Sequence, residues 1–94
     1  MKYKIVDIKD IVTYETRNDG RYPLRKGSIV SLLDPYVQIG DCPVLVYHKD
    51  NEGNPKDGHL RLSRLTEIEN YDKAVVLYTM NSVYYLFAEE DNND

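Results

Sequence analysis

The chain has 94 residues, with 12 Lys+Arg against 16 Asp+Glu, for a formal net charge of -4. That length holds one domain with one core, and it excludes large catalytic architectures such as a (β/α)8 barrel or a two-domain dinucleotide-binding enzyme. A hydrophobic fraction of 41% is enough to form a core, and a pI near 5.1 argues against a general electrostatic grip on nucleic acid or anionic lipid.

The one cysteine, Cys42, rules out an intrachain disulfide framework. The N-terminal residues lack an apolar signal-type stretch, and no run approaches the roughly 18 apolar residues of a membrane span. The expected setting is cytoplasmic. Charge is uneven. Residues 1–34 hold seven cations against five anions, residues 35–72 four against seven, and residues 73–94 one against four. The segment 89–94 reads as an acidic disordered tail after a single β domain over 1–88. Without it the balance is twelve against twelve, so the net acidity belongs to the tail.

Apolar residues come in short runs split by Gly, Pro, Asn and Asp, which predicts strands. In chain order the runs are 3–8, 28–33, 43–47, 59–68 (interrupted), 74–80 and 82–88. The breaks fall at Asn18-Asp19-Gly20, Asp34-Pro35, Gly40-Asp41, the polar stretch 49–58, and 70–73. Asn and Gly there tolerate positive φ, and Pro presets φ while lacking a donor. The first run is mixed: Ile5, Ile8, Ile11 and Val12 are close to helical spacing. A strand through Val6 or Ile8 followed by one helical turn before Thr13 is expected.

The last two runs predict a hairpin with Asn81-Ser82 as its turn. Tyr78 then faces Tyr85, Leu77 faces Leu86 and Val76 faces Phe87. Alternation places Val75, Leu77, Thr79, Tyr84, Leu86 and Ala88 on one face, and Val76, Tyr78, Met80, Val83, Tyr85 and Phe87 on the other. A four-residue loop over 70–73 puts Ile68 on the first face and Glu67 and Glu69 on the second. Two carboxylates are costly to bury unpaired, so the Leu77/Leu86 face is expected to be the core and the Tyr78/Tyr85/Phe87 face at least partly outside. A one-residue slip inverts this assignment. The expected fold is all-β: a small five- or six-stranded antiparallel barrel or roll, SH3-like or OB-like, with little helix.

Three stretches carry a resemblance. Arg21-Tyr22-Pro23-Leu24-Arg25-Lys26-Gly27, Gly58-His59-Leu60-Arg61-Leu62-Ser63 and Tyr78-Thr79-Met80-Asn81-Ser82-Val83-Tyr84 together resemble small uncharacterised β-barrel (SH3-like) proteins of bacterial and mobile-element genomes. The resemblance covers residues 21–86 and implies a bacterial or phage-related origin. It brings no activity and no functional residue.

Chemical motifs are sparse. Cys42, His48 and His59 are the soft or borderline metal ligands, with no C-x-x-C and no His pair at i, i+3 or i, i+4, so no metal and no cofactor is expected. The 50–61 stretch fails a calcium loop, with Pro55 at the sixth position and Arg61 at the twelfth, and reads as a flexible solvated loop. Ser28, Ser31, Ser63 and Ser82 lack a nucleophile-elbow setting. A Cys42/His48 or Cys42/His59 pair is formally available, but Asp41 beside the thiol disfavours the thiolate. No phosphate-cradling Gly motif occurs, and no catalytic residue is assigned.

Three binding readings follow. The first is a non-catalytic module recognising a protein partner, or itself, through Val76, Tyr78, Tyr85 and Phe87, an aromatic centre with a charged rim. The second is a nucleic-acid-associated protein using Arg17, Arg21, Tyr22, Arg25 and Lys26, which interleave cations with an aromatic ring. The third is an acidic inhibitor mimicking nucleic acid.

Overall fold

A computed structural model describes residues 1–89. Seven strands and one short helix follow the chain as β1 (Tyr3–Asp10), α1 (Tyr22–Arg25), β2 (Ile29–Leu32), β3 (Val44–Lys49), β4 (His59–Arg61), β5 (Leu65–Asn70), β6 (Ala74–Thr79) and β7 (Ser82–Ala88). All pairings are antiparallel, in the order β4-β3-β2-β1-β7-β6-β5. The strand count therefore exceeds the expected five or six. The interrupted run splits into two strands: Leu62 still donates to the Pro43 carbonyl at 2.8 Å, one step beyond the Val44–Arg61 pair, and the chain then bends at Ser63 before β5 pairs with β6.

No ladder joins the edge strands β4 and β5, so the sheet is open. Its two ends nevertheless meet through the short link between them. Leu65 donates to Asp41 O at 2.8 Å, Gly40 donates to Leu65 O at 2.9 Å, and Met80 donates to Arg64 O at 3.0 Å. The first two bonds tie the segment ahead of β3 to the start of β5, and the third extends the β5–β6 ladder by one step. The sheet rolls around one cluster of Ile5, Ile8, Val30, Leu45, Leu65, Leu77, Tyr84 and Leu86, each at most 2% exposed. Fully burying an aliphatic side chain of this size is worth about 1.5–3 kcal/mol.

β1 runs longer than expected, and its helical spacing has a sheet-specific cause. A bulge lies between Ile5, opposite Leu86, and Asp7, opposite Tyr85. One extra residue lets Ile5 and Ile8, three apart, both face the core. The helical turn does follow, closed by Tyr14 N–H to Asp10 O at 2.9 Å. The Asp10 carboxylate accepts from the amides of Val12 and Thr13 at 2.7 and 3.1 Å, and these bonds hold its ionisation below the usual carboxylate range.

The β6–β7 turn is centred on Met80-Asn81, not Asn81-Ser82. Buried Thr79 decides this. Its Oγ1 accepts from the amides of Ser82 and Asn81 at 3.0 and 3.3 Å and donates to Ser82 O at 2.9 Å. Leu77 consequently faces Tyr84, Tyr78 faces Val83 and Val76 faces Tyr85. Moving a two-residue turn by one position shifts the register by two, which preserves the faces. The β5–β6 register is likewise displaced by two, with Ile68 opposite Leu77 and Glu69 opposite Val76.

The polar 50–58 stretch is solvated, with 51–58 exposed, and its turn is closed by local bonds. Asp50 Oδ1 accepts from Glu52 and Asn54 amides, both at 2.9 Å, and Gly53 turns the chain at φ +86. Of the acidic tail, Glu89 donates its amide to Lys2 O at 2.8 Å and so continues the β domain. The rest of the expected tail, 90–94, lies outside the described residues. No helix among the described residues is long and apolar enough to cross a membrane.

Candidate functional site

The outer face of β1, β7, β6 and β5 carries rows of side chains fixed by the ladders. One row reads Lys9, Val83, Tyr78, Glu67, and the next Asp7, Tyr85, Val76, Glu69. The structure brings Val76, Tyr78, Tyr85 and Phe87 together on this face but buries them unequally. Val76 is 7% exposed, Phe87 is 55% exposed, and Tyr78 and Tyr85 are half-buried. Val83, on the same face, is fully buried.

The aromatic hydroxyls and rings here have charged neighbours. Tyr78 donates its hydroxyl to Glu69 Oε1 at 2.8 Å. That bond, with burial, pushes the Tyr78 hydroxyl well above the usual phenol range. Lys9 Nζ sits 5.2 Å from the Tyr85 ring centroid. Asp7 accepts from Thr16 Oγ1 at 3.1 and 3.2 Å and lies 3.8 Å from Lys26 Nζ. Phe87, the most exposed of the four named aromatic-face residues, has only Lys4 and Ala74 opposite it.

The five residues expected to contact nucleic acid divide into two groups. Arg17 is structural. It grips Asp19 through Nε at 3.2 Å and Nη2 at 2.9 Å, and Nη1 donates to Asn81 O and Ser82 Oγ, both at 3.1 Å. The Arg17 guanidinium holds the Asp19 carboxyl below its usual range. Tyr22 anchors the same corner, with Arg17 and Arg25 at 4.2 and 4.9 Å from its ring centroid and its hydroxyl accepting from Ser82 Oγ at 3.2 Å. Lys26 faces Asp7. Arg21 and Arg25 instead line a cavity of about 240 Å³ with Tyr47, Lys56, Asp57 and His59.

Lys56 and His59 were no part of the sequence-level site. They reach the cavity because the β3–β4 hairpin folds its tip beside α1, a tertiary event with no local motif. A second cavity of about 220 Å³ opens where Tyr3, Leu32, Val37, Ile68 and Val75 converge, between the two halves of the rolled sheet.

His48 hydrogen-bonds Ser31 across the β2–β3 ladder, Nε2 to Oγ at 2.9 Å. The irregularity between Ile29 and Val30 admits His48 as an extra residue on β3. A Ser–His bond is the first element of a nucleophilic pair, yet neither side chain lines either cavity. Cys42 is half-buried ahead of β3. Five residues of mostly extended chain lie between it and His48, a span of about 18–20 Å over six Cα steps. Among the described residues no group of three or more His, Cys, Asp or Glu is placed to hold a metal ion.

Compared with known proteins, the chain matches no family model, no curated protein and no solved structure.

Proposed function

We propose that this chain is a small, non-catalytic, cytoplasmic binding module that docks a protein through the outer face of β1, β7, β6 and β5. The observation that carries the reading is Phe87, more than half exposed in a strand whose neighbours Leu86 and Tyr84 are core. Exposed aromatic side chains at the centre of a polar-rimmed patch are the usual anchors of protein interfaces.

The partner that the charge pattern fits is a second copy of the chain. Lys9 stands on the β1 side of its row and Glu67 on the β5 side. A two-fold axis parallel to the strands, between β7 and β6, lays β1 of one copy over β5 of the other, so Lys9 meets Glu67 twice. Asp7, which the same operation brings toward Glu69, is already compensated by Lys26 and Thr16. Replacing Tyr85 and Phe87 with Ser tests this by light scattering: the wild type associates with rising concentration and the variant does not. Equal behaviour of the two proteins refutes the reading.

The same reading takes the rolled sheet to be a small SH3-like barrel, supported by the bonds of Leu65 to Gly40 and Asp41, and its origin to be bacterial or mobile-element. A second reading, association with nucleic acid, is favoured by Arg21 and Arg25 at one cationic cavity. A salt-dependent mobility shift with single-stranded and duplex DNA and RNA tests it, and absence of any shift at low salt sinks it.

A further inference from the structure

We propose that the cavity between α1 and the β3–β4 hairpin is a binding site for a phosphate group. Arg21, Arg25, Lys56 and His59 converge there, with Asp57 as the carboxylate in the lining. Counting three Lys/Arg against that one carboxylate leaves a formal lining charge of +2 from these four side chains. The wall is cationic although residues 1–88 are formally neutral.

No salt bridge among the described residues closes on these cations, although Lys56 lies near enough to the Asp50 carboxylate to help the Asn54 amide lower its ionisation. The two salt bridges among the described residues use Arg17 with Asp19 and Lys26 with Asp7. Arg25 is instead oriented by neutral groups: Nη1 donates to the Tyr84 hydroxyl at 3.0 Å, and its guanidinium lies 4.9 Å from the Tyr22 ring centroid. Lys56 Nζ lies 4.2 Å from the Tyr47 ring centroid. Aromatic faces and a phenol aim a cation without cancelling its charge. That arrangement leaves donors available to an incoming anion.

Tyr47 adds a neutral donor at the wall. Burial pushes its ionisation up, so the hydroxyl keeps its proton through the physiological range. Arg forks match two oxygens of a tetrahedral anion, whereas Lys supplies a compact point charge. The volume of about 240 Å³ falls below the range of drug-sized pockets, and it suits a phosphate with one attached sugar or ring. Leu24 and Leu60 offer apolar contact for such an attachment.

The same phosphate chemistry reaches the protein from a small phosphomonoester or from a nucleic-acid backbone. Amide and Arg side-chain NMR shifts are followed while inorganic phosphate, adenosine monophosphate or a short single-stranded oligothymidylate is added. The expected result is saturable shifts confined to Arg21, Arg25, Lys56, Gly58 and His59. Lys56→Gln and Arg21→Gln, both exposed and free of the core, each weaken binding about fivefold, the worth of one charged contact at a half-open site. Lys2→Gln leaves it unchanged.

Tighter binding of the mononucleotide than of the oligonucleotide identifies a phosphomonoester ligand. The reverse order, with a steep salt dependence, identifies a nucleic-acid backbone. Non-saturating shifts spread over the surface with all three probes overturn the proposal, and so does unchanged affinity in both variants.

Discussion

Leu86 and Phe87 are adjacent in β7 and test the division of the sheet into an inner and an outer face. Leu86 is fully buried, so Leu86→Ala removes core contacts and leaves a cavity, at about 2–5 kcal/mol. Phe87 is 55% exposed, so roughly 45% of a full Phe burial is at stake. With about 1.5–3 kcal/mol for complete burial, Phe87→Ala costs about 1 kcal/mol. Both substitutions trade a good strand former for Ala, so that penalty largely cancels in the comparison. A domain of this size loses about 4–8 °C in Tm per kcal/mol. The expected Tm losses are about 4–8 °C for Phe87→Ala and at least twice that for Leu86→Ala. The melts are run at low protein concentration, where association contributes little to apparent stability. A loss at Phe87 equal to that at Leu86 refutes the assignment of faces, and with it the docking surface.

Thr79→Val keeps the shape but removes the hydroxyl that closes the β6–β7 turn, and should cost about 1–3 kcal/mol in urea denaturation with an unchanged m-value. A neutral effect contradicts the role given to Thr79. Arg17→Met severs the guanidinium contacts to Asp19, Asn81 and Ser82, so trypsin should cut faster after Arg21, Arg25 and Lys26, with unchanged rates refuting the anchor. The hydroxyls of Tyr47, Tyr78 and Tyr84 all have folded ionisation raised above the ordinary phenol value near 10, Tyr47 and Tyr84 chiefly by burial and Tyr78 chiefly by its bond to Glu69. Their contribution to stability is complete below about pH 10, the unfolded value, and declines as pH rises above it. Denaturant midpoints should hold between about pH 8 and 9 and fall above 10, whereas a midpoint that rises contradicts these environments.

The strands were legible because β-branched and aromatic runs separated by Gly, Pro, Asn and Asp map directly onto β2, β3, β6 and β7. The sorting of side chains into two faces survived wrong turns for a geometric reason, although Val76 and Val83 on the outer face are buried. Displacing the Met80-Asn81 turn by one residue moves the register by two, and side chains alternate with period two. Two features were hidden. The β1 bulge imitates helical spacing at Ile5 and Ile8. Separating Arg17 from Arg21 and Arg25 requires knowing that the chain after Thr16 bonds back to β1, with Arg17 N–H donating to Ile8 O at 2.9 Å. The Ser31–His48 bond and the Lys56/His59 half of the cationic cavity depend on ladder irregularities and a hairpin tip, neither of which leaves a local sequence signal.

The docking reading rests on a face that is complementary to itself, and a charge exchange tests that directly. Lys9→Glu and Glu67→Lys are made as two separate proteins and examined by sedimentation equilibrium, alone and mixed in equal amounts. Each variant alone sets like charges against each other and should stay at the chain mass of 11.0 kDa. The mixture should restore the opposite pairing and shift toward 2 × 11.0 = 22 kDa. A mixture no heavier than its parts, or a wild-type protein that holds at 11.0 kDa at every concentration, contradicts the account.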